Sequence, residues 1–214
     1  MERRRRWEIM ESDILSDIRL DLASSADEKT KKSSQRFFKE EVKVYGVKTQ
    51  IVEKIAKRYF VGIKEKNKEE IFSLCEKLLE SDYSEEAFIA FEWAYSLRKN
   101  YGANDFLKFE GWIKKYVNNW AKCDTLCNHS LGLFIEQFPR YIDSLKTWTK
   151  SENRWLRRAS AVTLILPARK GNFLNDVFEI CDSLLKDNDD LVQKGSDGYS
   201  KRQVKPIKNM YLNI

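Results

Sequence analysis

Two stretches of the chain carry residue types that could do chemistry. In residues 118–129, Asn-Asn-Trp-Ala-Lys-Cys-Asp-Thr-Leu-Cys-Asn-His, Trp120 and Asp124 stand four apart and share one face if the segment is helical. An indole beside a carboxylate can hold a cationic substrate, the ring by cation–π attraction and the carboxylate by Coulomb attraction. The plainer alternative is a core tryptophan and an aspartate that caps the next helix. Cys123, Cys127 and His129 in the same stretch raise the question of a metal. Their C-x3-C-x-H spacing matches no zinc knuckle or ribbon, and no second Cys/His pair follows, so buried thiols are expected and a metal is not. The chain has a single histidine, so a Ser-His-Asp mechanism would have to use His129, and no nucleophile elbow is present. Glycine-rich phosphate loops are also missing, and no cofactor is expected.

The second stretch, residues 146–159, reads Lys-Thr-Trp-Thr-Lys-Ser-Glu-Asn-Arg-Trp-Leu-Arg-Arg-Ala. Lys146, Lys150, Arg154, Arg157 and Arg158 interleave with Trp148 and Trp155. Arg154 and Arg158 form an i, i+4 pair, Lys150 adds a turn below, and Arg169 and Lys170 extend the basic edge past Pro167. Arginine forks bind phosphate bidentately, and clustered cations attract a nucleic-acid backbone whatever its sequence. A solvated basic face is the alternative.

The elements that must position these residues are helical. The chain has 214 residues, with 8 glycines and 3 prolines, too few for a turn-dense sandwich or barrel. Its length suits one domain or one compact repeat array. Lys and Arg number 39 against 33 Asp and Glu, a net charge of +6 that favours an anionic partner. No apolar run approaches the ~20 residues of a membrane span, so no membrane role is expected. Arginines at 3–6 lack a following apolar region and therefore are not a secretory signal; residues 1–12 read as a basic arm, either touching phosphates or solvated. Four cysteines without framework spacing point to reduced thiols in an intracellular chain.

Apolar residues recur with helical period along nearly the whole sequence, as in Ile51, Ile55, Tyr59 or Phe109, Ile113, Val117. Breaks fall at Asp27/Glu28, Gly46, 66–68, 82–84, 102–104, Asn118/Asn119, Pro139, 151–153 and 170–172. About ten helices of ~10–16 residues are expected. Helix pairs of ~40-residue period are what a HEAT-like solenoid looks like, with an irregular bundle as the alternative. After a helix start at Leu191-Val192-Gln193-Lys194-Gly195, residues 196–214 lose any apolar face and read as an aberrant tail.

Taken together the stretches resemble the DNA alkylation repair family, the AlkD-like HEAT-repeat DNA glycosylases. The resemblance runs from about Ile14 to Gly195. It rests on Phe37-Phe38-Lys39-Glu40-Glu41 with Tyr45-Gly46-Val47-Lys48-Thr49, on Asn119-Trp120 through His129, on 148–159, and on Val192-Gln193-Lys194-Gly195. It implies an all-α HEAT-like solenoid over residues 13–195 that holds duplex DNA and excises cationic N3- and N7-alkylated purines without metal or cofactor. By position, Asp124 resembles the catalytic carboxylate and Trp120 its neighbouring indole. Arg158 resembles the arginine facing DNA near the lesion, with Arg157, Arg154, Lys150, Trp155, Lys48, Thr49 and Lys194 as further DNA-contacting candidates.

One departure stands out. The family continues past Gln-Lys-Gly with a helix of the form G-x-G-W-x-L-K, whose tryptophan is a second active-site indole, and Gly198 stands at that position here. Codons exist for residues 195–206 in which one added base after the Gly195 codon restores G-I-G-W-L-L-K. A one-base deletion at Gly195 is therefore expected, leaving the last repeat truncated and its apolar edge uncapped. The expected protein is a monomeric, cytoplasmic alkylpurine DNA glycosylase, nucleoid-associated when bound to duplex DNA containing alkylated bases. The alternatives are a non-catalytic DNA-structure binder of the same fold and a helical protein–protein scaffold.

Overall fold

A computed structural model describes residues 2–197 of the chain, with side chains over 13–195. Among the described residues the regular elements are helices and none is a strand: α1 (Glu2–Ser24), α2 (Glu28–Phe37), α3 (Thr49–Ile63), α4 (Lys68–Leu79), α5 (Ser84–Ser96), α6 (Asp105–Tyr116), α7 (Trp120–Leu126), α8 (Gly132–Gln137), α9 (Ile142–Trp148), α10 (Arg154–Val162), α11 (Ile165–Arg169), α12 (Leu174–Leu184) and α13 (Asp190–Asp197). No described helix is long and apolar enough to cross a membrane. The residues expected as a separate N-terminal arm continue into α1, and of the expected aberrant tail, residues 198–214 lie outside those described.

The chain divides into two compact units, residues 1–100 and 101–214. In the first, α5 packs on α3 and α4, burying Ile55, Ile71, Leu74, Leu78, Ile89 and Phe91. The indole of Trp93 is buried there and donates to the Ala56 carbonyl at 2.9 Å, which satisfies its one polar atom. Helix starts follow local chemistry. Asn67 caps α4 while Glu70 reaches back to the Asn67 amide, a reciprocal capping box.

The Tyr45-Gly46-Val47 motif has a packing cause. Gly46 sits at φ +93°, and a Cβ there would stand 2.6 Å from Lys31 Cβ and 2.8 Å from the Asp27 carbonyl oxygen. Only glycine fits. The loop is pinned from α5: the buried Glu85 carboxylate accepts the amides of Tyr45 (3.1 Å), Gly46 (2.9 Å) and Val47 (3.1 Å). Its neighbour Glu86 accepts from Tyr45 Oη at 2.8 Å and from Arg19 Nε at 3.1 Å.

In the second unit α10 is the central element, packed against α6, α7, α9, α12 and α13. Trp148 and Trp155, expected among exposed cations, are both buried. Trp148 stacks on Phe106 at 5.2 Å and donates its indole N–H to Glu110 at 3.2 Å. Between α7 and α8 one wide turn, Cys127–Leu131, has i→i+5 geometry. Gly132 follows it, and a Cβ there would lie 2.9 Å from the Thr163 carbonyl oxygen, so α8 meets the end of α10 backbone to backbone.

Candidate active site

The site is built on α7 and α10 of the second unit. Asn119 starts α7, its side chain accepting the Lys122 amide at 3.0 Å. That cap makes Trp120 the first helical residue and puts Asp124 one turn on; both are half-buried. On α10, Asn153 plays the same part, accepting the amides of Trp155 (2.8 Å) and Leu156 (3.3 Å), and Arg158 follows one turn inside the helix.

Asp124 does not cap the next helix. Its two oxygens take the side of the Arg158 fork, Nε to Oδ1 at 2.8 Å and Nη2 to Oδ2 at 2.7 Å. This side-on arrangement is the strong form of an Arg–carboxylate pair. The side chain of Arg158 is 8% exposed and that of Asp124 is 25% exposed. Burial alone would draw the guanidinium down, but the hydrogen bonds and charge of Asp124 outweigh it and raise Arg158 above its ordinary value. The third arm, Nη1, donates to the Leu191 carbonyl of α13. Gly195, one turn further along α13, lies over the arginine stem, where a Cβ would come within 3.1 Å of Arg158 Cγ.

This geometry fixes one carboxylate at a half-exposed position. Each Asp124 oxygen keeps a lone pair beyond the one given to Arg158. The anion can therefore face a positive centre or orient a water without moving. Behind it, Cys123 is fully buried, and burial together with its contact to Cys127 pushes its thiol well up. It donates to the Trp155 carbonyl at 3.7 Å. All four cysteines are free thiols, and among the described residues no group of three His, Cys, Asp or Glu could hold a metal.

The basic residues expected to contact DNA on α10 take part in ion pairs. Arg157 donates Nε to Asp187 at 2.7 Å and Nη1 to the Ser151 and Glu152 carbonyls at 2.9 and 3.1 Å. Arg154 forks onto Asp189, with 2.7 and 2.8 Å contacts, and its guanidinium lies 5.1 Å over the Trp155 ring. Lys146 meets Asp176 at 2.9 Å and Glu179 at 2.5 Å. Lys194 pairs with Asp190 at 3.1 Å, and Lys150 is exposed. Lys48 and Thr49 are exposed at the start of α3, in the first unit.

Of two further features of the site, one has a signal in the sequence and the other has none. The run Asp187-Asn188-Asp189-Asp190 after α12 supplies the partners of Arg157 and Arg154. Asp189 also caps α13, accepting the Leu191 amide at 2.9 Å, so the ion pairs hold the helix that supplies the Leu191 carbonyl. Lys122 is 1% exposed on α7, and its spacing gives no hint of that.

A sequence model of the DNA alkylation repair enzyme family matches residues 18–196. Among solved structures, one described as a predicted DNA alkylation repair enzyme from Enterococcus faecalis superposes with a TM-score of 0.74 at 13% identity, covering 89% of this chain and 90% of that one. At that identity the likeness shows the fold, an all-helical repeat architecture. No curated protein matches this chain in sequence.

Proposed function

Because the chain belongs to the DNA alkylation repair enzyme family, we propose that it is a DNA glycosylase that releases cationic N3- and N7-alkylated purines from duplex DNA. The observation that carries this reading is the Asp124 carboxylate, fixed by the Arg158 fork one turn after the half-buried Trp120.

An alkylated purine already bears positive charge, so its glycosidic bond breaks with both electrons going to the base, which leaves neutral. No general acid is needed. Positive charge then rises on the sugar, as in glycoside hydrolysis generally. A preorganised anion stabilises that charge without reorganising during the reaction. Asp124 supplies it, and its free lone pair orients the water that adds to the sugar carbon; the water's proton passes to that carboxylate and on to solvent. Trp120 packs its ring on the deoxyribose. Arg158 acts through Asp124 and is a positioning residue in this scheme. Phosphate contacts fall to exposed Lys150, Lys48, Thr49 and Lys194, while Arg154 and Arg157 are held by aspartates. The chain works as a monomer in the cytoplasm, without metal or cofactor.

The test is release of 3-methyladenine and 7-methylguanine from methylated duplex DNA, with unmethylated duplex as control. Release from the methylated duplex alone is expected, and none from either duplex overturns the reading. The second reading, a DNA-structure binder without catalysis, is favoured by Gly198 at the position of the family's second indole. It predicts tight duplex binding and no base release.

A further inference from the structure

Helix α2 has no buried residue. A helix that is polar all round is normally held by ion pairs or by spanning between other elements, and α2 has neither support on its charged side. Among the described residues no acidic side chain lies within ion-pair distance of Lys29, Lys31, Lys32 or Arg36. The helix is fixed at its start instead. Asp27 caps it, accepting from the Thr30 amide at 2.7 Å and from Thr30 Oγ1 at 2.6 Å. The Asp27 amide in turn donates to the Gly46 carbonyl at 3.0 Å.

The residues thus presented have one chemistry in common. Positions 29–36 read Lys-Thr-Lys-Lys-Ser-Ser-Gln-Arg, so every side chain in the run carries a hydrogen-bond donor. Lys29, Lys32 and Arg36 are exposed, and spacings of three and four put them on one stripe. Lysine, arginine, serine, threonine and glutamine are the side chains that contact nucleic-acid phosphates. Helix α2 also packs on the loop that leads into an expected DNA contact. Gly46 packs against Lys31 at the other end of the loop that leads into Lys48 and Thr49. The charges of Lys48 and Lys29 both act on Asp27, whose carboxyl is held low chiefly by its Thr30 hydrogen bonds.

We infer that the Lys29–Lys32–Arg36 stripe of α2 is a binding surface for the phosphate backbone of duplex DNA, continuous with Lys48. This deepens the proposed function and rests on it for the identity of the polyanion. The contrast within the chain supports the choice. The arginines of α10 pair with Asp124, Asp187 and Asp189, whereas among the described residues no cation of α2 forms an ion pair.

The test compares the full chain with a Lys29→Gln/Lys32→Gln/Arg36→Gln variant, measuring duplex affinity across a salt series and base release at saturating DNA. Each lost phosphate contact flattens the slope of log affinity against log salt by about 0.9, so the variant should be flatter by about 2–3 and on the order of 100-fold weaker at low salt. Base release at saturation should be unchanged, and circular dichroism should show the helix content retained. A Lys29→Arg/Lys32→Arg variant, which keeps the charge, should keep the slope. A triple variant with the wild-type slope overturns the inference and leaves the proposed function standing. A wild-type chain that does not bind duplex DNA overturns both. Loss of binding to anionic vesicles with DNA binding intact also overturns the inference.

Discussion

Replacing Arg158 by methionine should cost more stability than any other single change on α10. The side chain is 8% exposed and makes three hydrogen bonds, two to Asp124 and one to the Leu191 carbonyl. Methionine keeps the apolar stem beside Gly195 and removes the fork, so the change isolates the polar contacts. Breaking a buried pair costs about 3–5 kcal/mol because a buried charge is left uncompensated. Asp124 is a quarter exposed and water can reach its carboxylate, which sets the expected loss near the low end, about 3 kcal/mol. With a urea dependence of about 1.5 kcal/mol/M, the unfolding midpoint should fall by about 2 M. Tryptophan fluorescence reports the transition, since Trp120, Trp148 and Trp155 all lie in the second unit. The Arg158→Met/Asp124→Asn double variant should be no less stable than Arg158→Met alone, because the second change removes the stranded charge. A loss under about 1 kcal/mol, the size of a surface ion pair, would refute the reasoning.

Further expectations concern the elements around this pair. Burial raises Asp187, but the Arg157 hydrogen bond, the Asp189 amide and the Arg157 charge outweigh it and hold the carboxyl below its ordinary value. The folded state therefore favours the ionised form; its contribution is complete above about pH 4–5 and fades as pH falls through the folded value. Urea midpoints of wild type and Asp187→Asn should differ by a constant amount between pH 5 and 8 and converge below about pH 4; a constant gap down to pH 2 would count against the Arg157–Asp187 pair. Gly46→Ala forces a Cβ into Lys31 at a positive φ and should destabilise by well over the ~1 kcal/mol typical of single changes, checked by thermal unfolding of the purified chain. An Ellman titration should find Cys75, Cys123 and Cys127 silent in the native state. Cys181, half-buried with its thiol pushed up to about 12, should react slowly. Rapid reaction of two or more thiols would contradict the packing of α7 and α10.

The helical architecture was legible because it is written in local chemistry. The breaks read at Gly46, Asn118/Asn119 and 151–153 coincide with the Gly46 turn, the Asn119 cap and the Asn153 cap. Trp120 and Asp124 stand one turn apart on α7, as their four-residue spacing implies for a helical segment. What was not legible depends on contacts across many residues. Arg158 and Asp124 are 34 apart in sequence, and Arg157 and Asp187 are 30 apart, so a run of cations gives no sign that aspartates will neutralise it. The wide turn at Cys127–Leu131 is likewise invisible to a period of 3.6, since an i→i+5 bond shifts the register only locally. Helix α2 illustrates the reverse case. Its residues carry no apolar stripe, and it folds on the strength of the Asp27 cap and the Gly46 contact.

The central claim is that Asp124 is the catalytic carboxylate. It is tested most directly by single-turnover release of 7-methylguanine from methylated duplex DNA by the wild-type chain and by Asp124→Asn, each at saturating protein. Release by the wild type, with a fall of at least about 100-fold in the variant at undiminished DNA affinity and intact helix content, is the predicted result. Equal release by the two proteins would contradict it.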